Sequence, residues 1–179
     1  MLIVFRRKQN QGFTLVELVM TIVIIGVASV GITAALGFGL RHQSDGISYA
    51  RSVTLAQAYM EDIMGKRYDE NTPIGGVPAC SPSTTPCSLA ANFNDGESRH
   101  QFDDVDDFNG VDDSPPLNVD GTDRDAFARY RVQVNVAYAN AAQISGFGLT
   151  DTTDAKIITV TVTSPGTNPL TFQAIRTNF

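Results

Sequence analysis

The residues best placed to do chemistry are carboxylates. Between Asp95 and Asp125 the chain carries eleven acidic residues against two basic ones, Arg99 and Arg124. The densest part is Asp103, Asp104, Asp106 and Asp107, followed by Asn109 and Gly110. Clustered carboxylates repel one another unless a cation offsets them. An oxygen-rich run of this kind suits calcium, which takes ~6–8 oxygen ligands in flexible geometry. The spacing departs from the helix–loop–helix calcium template, because Phe108 stands where a ligand is needed and the closing Glu is missing. The alternative is a solvated acidic loop anchored by Phe102, Val105 and Phe108, whose i, i+3, i+6 spacing predicts a short helical turn. Paired carboxylates can also serve as acid and base. No nucleophile, histidine base or phosphate-binding loop accompanies these, so the sequence does not read as an enzyme. His42 and His100 are the only histidines, too few and too far apart for zinc.

A second carboxylate stands alone. Glu17 sits at the head of an apolar run from Phe13 to Leu40, and no charged residue occurs from Leu18 to Leu40. About 20 apolar residues, at ~1.5 Å each, cross the ~30 Å of bilayer hydrocarbon. A charge in such a segment is expensive and marks function by default. Before it lies a basic leader, residues 1–12, with Arg6, Arg7 and Lys8 and ending in Gly12. These cations hold the leader on the cytoplasmic side, so the rest of the chain is expected outside the cytoplasm. An ordinary secretory signal is cut after its apolar region. Here the small residue Gly12 precedes it, so cleavage there leaves the apolar helix on the mature protein. Losing the leader cations takes the side-chain net charge from -6 to -9. That balance argues against nucleic acid, whose affinity rests on Lys and Arg at phosphates.

The elements that position these groups can be read in outline. Residues 13–67 read as one long helix, since no Pro occurs before Pro73. Residues 13–40 form its membrane half. Residues 41–67 form an amphipathic half, with Ile47, Ala50, Val53, Ala56, Met60, Ile63 and Met64 at helical spacing. Gly26, Gly31, Gly37 and Gly39 in the membrane half allow close helix packing or local softness. Residues 68–126 are rich in Pro, Asp, Asn and Gly and read as an irregular region. It contains Cys80 and Cys87, which outside the cytoplasm read as a disulfide closing a small loop, against the alternative of two free thiols. In residues 127–179, alternating apolar positions predict strands at 127–138, 156–163 and 169–177. The fold class is therefore α+β, a long helix laid on a small antiparallel meander.

The run Gly12-Phe13-Thr14-Leu15-Val16-Glu17, with the apolar helix behind it, resembles the prepilin signature of type IV pilins and of type II secretion pseudopilins. The resemblance implies a pilin fold, cleavage after Gly12 by a membrane prepilin peptidase, and N-methylation of Phe13. It also implies an inner-membrane precursor with a periplasmic head that passes, through an inner-membrane assembly platform, into a filament with other pilin subunits. Glu17 would there pair with the amine of a neighbouring Phe13. Later features are similar to minor pilins of the mannose-sensitive haemagglutinin (MSHA) pilus. They are Met64-Gly65-Lys66-Arg67-Tyr68-Asp69-Glu70-Asn71, the two cysteines, Phe102 to Phe108, Ile157 to Val162, and Arg176 to Phe179. Many major pilins place their cysteines near the carboxyl terminus, whereas here they lie mid-chain.

Overall fold

The computed structural model describes residues 12–83, 85–149 and 151–178. The leader cations Arg6, Arg7 and Lys8, and the closing Phe179, lie outside the described residues. The chain divides into two units, residues 1–44 and residues 45–179. One helix, α1 (Leu15–Met64), begins in the first and ends in the second.

In the first unit, Thr14 starts the helix. Its Oγ1 accepts a hydrogen bond from the Glu17 amide at 3.3 Å, which satisfies one of the orphan donors of the first turn. From Leu15 to Gly39 the helix is 25 residues long with a mean hydropathy of 2.5, and every side chain on it is exposed. It is long and apolar enough to cross a membrane. Its hydroxyls are satisfied internally. Thr21, Ser29 and Thr33 donate to the carbonyls of Glu17, Ile25 and Ser29 at 2.7, 2.7 and 2.8 Å. No donor on these side chains is left to seek water in hydrocarbon.

In the second unit the buried stripe of α1 is Ser52, Leu55, Ala56, Tyr59 and Ile63, with Met60 and Met64 partly buried. The stripe is rotated by about one position from the expected one, and Ile47 and Ala50 are exposed. Tyr59 explains the rotation. It is the largest buried side chain on this part of the helix, and its hydroxyl finds partners inside. It donates to Asp113 Oδ2 at 2.6 Å and accepts from the Leu117 amide at 2.8 Å. The helix stops at Met64, before the expected Arg67. A Cβ on Gly65 would meet the Glu61 carbonyl at 3.3 Å, so glycine lets the chain turn there.

The sheet is an antiparallel meander of four strands in sequence order: β1 (Asp112–Asp113), β2 (Arg131–Tyr138), β3 (Ala155–Thr163) and β4 (Leu170–Thr177). The three long strands fall where alternation placed them; β1 is too short to leave a periodic signal. In register, Val132 faces Val162, Val134 faces Val160 and Val136 faces Ile158. These residues form the core with Leu55, Ala56, Tyr59 and Ile63 of the helix. A short helix, α2 (Ala141–Ile144), lies in the connection from β2 to β3.

The irregular region is tied down in its middle and near its end. Arg124 pairs with Asp62 on the helix at 3.1 Å, and the Arg99 guanidinium lies 4.8–5.3 Å from the rings of Phe108, Tyr59 and Phe102. Tyr59 therefore joins helix, β1 and loop through one oxygen. Tyr59→Phe leaves the Leu117 amide and Asp113 short of a partner, at a cost of ~1–3 kcal/mol. Urea unfolding of the detergent-solubilised full chain should show a lower midpoint with an unchanged slope.

Candidate functional site

The amino-terminal site is built from exposed residues. Gly12, Phe13 and Thr14 precede the helix in non-helical backbone, and Phe13 is 79% exposed. The Gly12–Phe13 bond is thus presented in accessible backbone, two residues before the helix locks the chain. A Cβ at Gly12 would meet nothing within 4 Å in the chain itself. Glu17 lies in the first turn of α1, where unpaired amides and the helix dipole favour a negative charge. Thr14 and Glu17 have the spacing of a capping box, and the Thr14 half of it is formed. Residues 12–39 contain no basic side chain, so a counter-charge for Glu17 must come from elsewhere. Cleavage after Gly12 would create one, by releasing the Phe13 nitrogen from its peptide bond as an amine.

The acidic loop is arranged differently from a simple ligand set. The expected turn is present, as one 3₁₀ turn at Asp106–Phe108, and Phe102, Val105 and Phe108 are buried. The acids do not all face water, for Asp104, Asp106 and Asp107 are buried with them. Asp104 Oδ1 accepts from the amides of Asp106 and Asp107 at 2.6 and 3.3 Å. Asp107 Oδ2 accepts from the amides of Asp103 and Asp104 at 2.8 and 3.0 Å. Asp103 pairs with Arg67, and Asn109 Oδ1 accepts from the Val136 amide at 3.1 Å, fastening the loop to β2. Gly110 follows with φ of 82°, a turn conformation that favours glycine. The five residues are not brought together as one donor set. Asp103 and Asp104 gather with Glu70, and Asp107 gathers with Asp95 and Glu97.

Asp106 belongs to a centre that sequence reasoning missed. Lys156, on β3, is fully buried. Its Nζ donates to the Tyr68 carbonyl at 2.7 Å, to Asp69 Oδ2 at 3.0 Å and to Asp106 Oδ2 at 2.7 Å. The rings of Tyr68, Phe93 and Tyr138 stand 4.3, 5.0 and 5.4 Å from it. Its signal was in the strand pattern. Lys156 shares a face with Ile158, Val160 and Val162, so a cation sits in phase with core positions. Asp69 is held from its other side by the amides of Asn71 and Ser88 and by the Ser88 hydroxyl, at 2.9–3.1 Å. Ser88 directly follows the Cys80–Cys87 disulfide, and Asn178 donates to the Cys80 carbonyl at 2.8 Å. The disulfide loop is thus pinned on one side to the Lys156 centre and on the other to the end of β4.

Burial pushes Asp106 up to about 7, against the pull of Lys156. Burial, with Asp107 beside it, raises Asp104 to about 6. Asp69 goes the other way. Burial acts upward on it too, but Lys156 and the donors from Asn71 and Ser88 outweigh this and hold it below the usual carboxylate range.

Comparison with known proteins bears on the amino terminus. Residues 7–33 match the family model of the prokaryotic N-terminal methylation motif. The match supports a type IV pilin-family signature and a pilin or pseudopilin-like precursor. It points to a structural subunit rather than an enzyme, and implies processing by prepilin peptidase and assembly with other pilins. With the apolar helix it fits a membrane-anchored precursor. No curated protein and no solved structure matches the chain. The long helix and small antiparallel sheet are consistent with an α+β pilin fold.

Asp104 makes the head sensitive to pH. Its acidity is weakened on folding, so its contribution to stability is full below the ordinary carboxylate range and is lost as pH rises through about 6. Asp104→Asn keeps the oxygen that accepts the two amides and removes the charge. The variant should show a smaller fall in melting temperature than wild type between about pH 5 and pH 8.

Proposed function

We propose that this protein is a minor pilin of the MSHA-like, D-type kind, a structural or priming subunit of a surface pilus. The observation that carries the reading is the match of residues 7–33 to the methylation motif, with Gly12 and Phe13 exposed just before the apolar helix Leu15–Gly39. Prepilin peptidase cuts after Gly12, and Phe13 is then N-methylated. Until assembly, residues 13–40 hold the precursor in the inner membrane with its head in the periplasm. The assembly platform then moves the helix from lipid into a filament core among other pilins. In that core Glu17 meets the amine of a neighbouring Phe13. A buried carboxylate left unpaired costs several kcal/mol, so this pair selects one axial register between subunits. The head serves as structure, and the loop charges are offset by Arg67, Lys156 and backbone amides. The amino terminus, and not a calcium-dependent head, carries the function.

A type II secretion pseudopilin would use the same amino-terminal chemistry. Copy number in sheared surface filaments separates the two, since a minor pilin enters them at low copy and a pseudopilin stays with the membrane. Gly12→Phe should block cleavage and leave the precursor mass. Glu17→Ala should leave cleavage intact, shown by a mature mass starting at Phe13, and should deplete the protein from sheared filaments by about tenfold or more, the equivalent of losing ~1.4 kcal/mol. Normal incorporation of Glu17→Ala would overturn the assembly role.

A further inference from the structure

Asp106 Oδ1 is buried and accepts no hydrogen bond, although Lys156 Nζ lies 2.7 Å from it. Asp106 Oδ2 is also 2.7 Å from Nζ and does accept. Equal distances to both oxygens place the nitrogen on the plane that bisects the carboxyl group, close to Cγ. Holding the two groups together removes much of the entropic barrier to their reaction, once the carboxyl face is turned toward Nζ. A second carboxylate, Asp69, stands 3.0 Å from the same nitrogen. Three aromatic rings enclose the group, and neither Lys156 nor Asp69 is exposed at all. We propose that Lys156 and Asp106 condense to an intramolecular amide, a covalent cross-link between the acidic loop and β3.

The two carboxylates are unequal, and the difference assigns their roles. Asp69 accepts hydrogen bonds from two amides and two hydroxyls besides Lys156, so it is fixed as an anion, a poor electrophile that stands beside Nζ as a proton acceptor. Asp106 has no side-chain donor other than Lys156, so nothing else holds it ionised. Burial favours its neutral acid, in which Cγ is electrophilic. The ammonium of Lys156 passes one proton to Asp69 and becomes a neutral amine. A turn about the Asp106 Cβ–Cγ bond presents the carbonyl face, and Nζ adds to Cγ. The N–C bond forms, a second proton moves from nitrogen to the hydroxyl, and the C–O bond breaks with loss of water. The products are an amide, one water and a protonated Asp69; charge balances and nothing is oxidised or reduced. The aromatic enclosure keeps bulk water from reversing the step. The link would join residues fifty apart and, resting on the filament role proposed above, would hold the loop to the sheet under pulling.

The test is the intact mass of the full chain extracted from membranes in detergent, followed by trypsin digestion and fragment sequencing. The expected mass is one water below that of the processed, disulfide-bonded chain. Trypsin should leave Lys156 uncut, in a branched peptide joined to the segment that carries Asp106. Lys156→Met should regain the water, and Asp69→Asn should lower the linked fraction at least tenfold. A wild-type chain at the unlinked mass, or a water loss that maps elsewhere, overturns the proposal whatever the variants do. Full linkage in Asp69→Asn overturns the role of Asp69 as base.

Discussion

The head depends on one buried cation. Lys156 is enclosed by Asp69, Asp106, the Tyr68 carbonyl and three aromatic rings. An ammonium taken out of water costs several kcal/mol unless its donors are all matched, and here each of the three is. The three acceptors come from the chain just after the helix and from the acidic loop, while the lysine is on the sheet. Satisfying one side chain therefore fixes three segments that share little regular hydrogen bonding. Asp69 extends the constraint to Ser88 and the disulfide loop. Remove the lysine, and two buried carboxylates face each other with nothing between them.

The amino terminus works under the opposite condition. There the apolar helix is exposed along its whole length, and its carboxylate has no cation among residues 12–39. That segment holds apolar surface without cover, a charge with no cation among residues 12–39, and glycines with open space beside them. Lipid or neighbouring apolar helices are what would cover such a surface. The head buries an apolar core of its own, whereas the apolar surface of the helix is uncovered.

Tyr59 shows how polar contacts decide packing when apolar pattern alone is ambiguous. Val53 and Met60 lie on the stripe that hydrophobic periodicity favours. Tyr59 lies beside that stripe, yet it is fully buried. A hydroxyl that both donates to Asp113 and accepts from Leu117 lets the ring go inside without an orphan oxygen. The helix turns to accommodate it, and Ile47 and Ala50 are left outside.

Local physics determined much of this protein from the sequence alone. The apolar run after Glu17, the alternation of valines in β2 and β3, the cysteine spacing and the Gly12 junction each depend on neighbours a few residues away. Periods and short spacings record such features directly. The destination of the carboxylates was not local. Asp103 through Asn109 read as cation ligands or as a solvated loop, because the same residues suit either. Only the tertiary structure brought Lys156 to Asp106 and Asp69, across separations of 50 and 87 residues. A charge pair at that range leaves no periodic trace in the chain, since its geometry is set by strand register and by how the loop folds over the core.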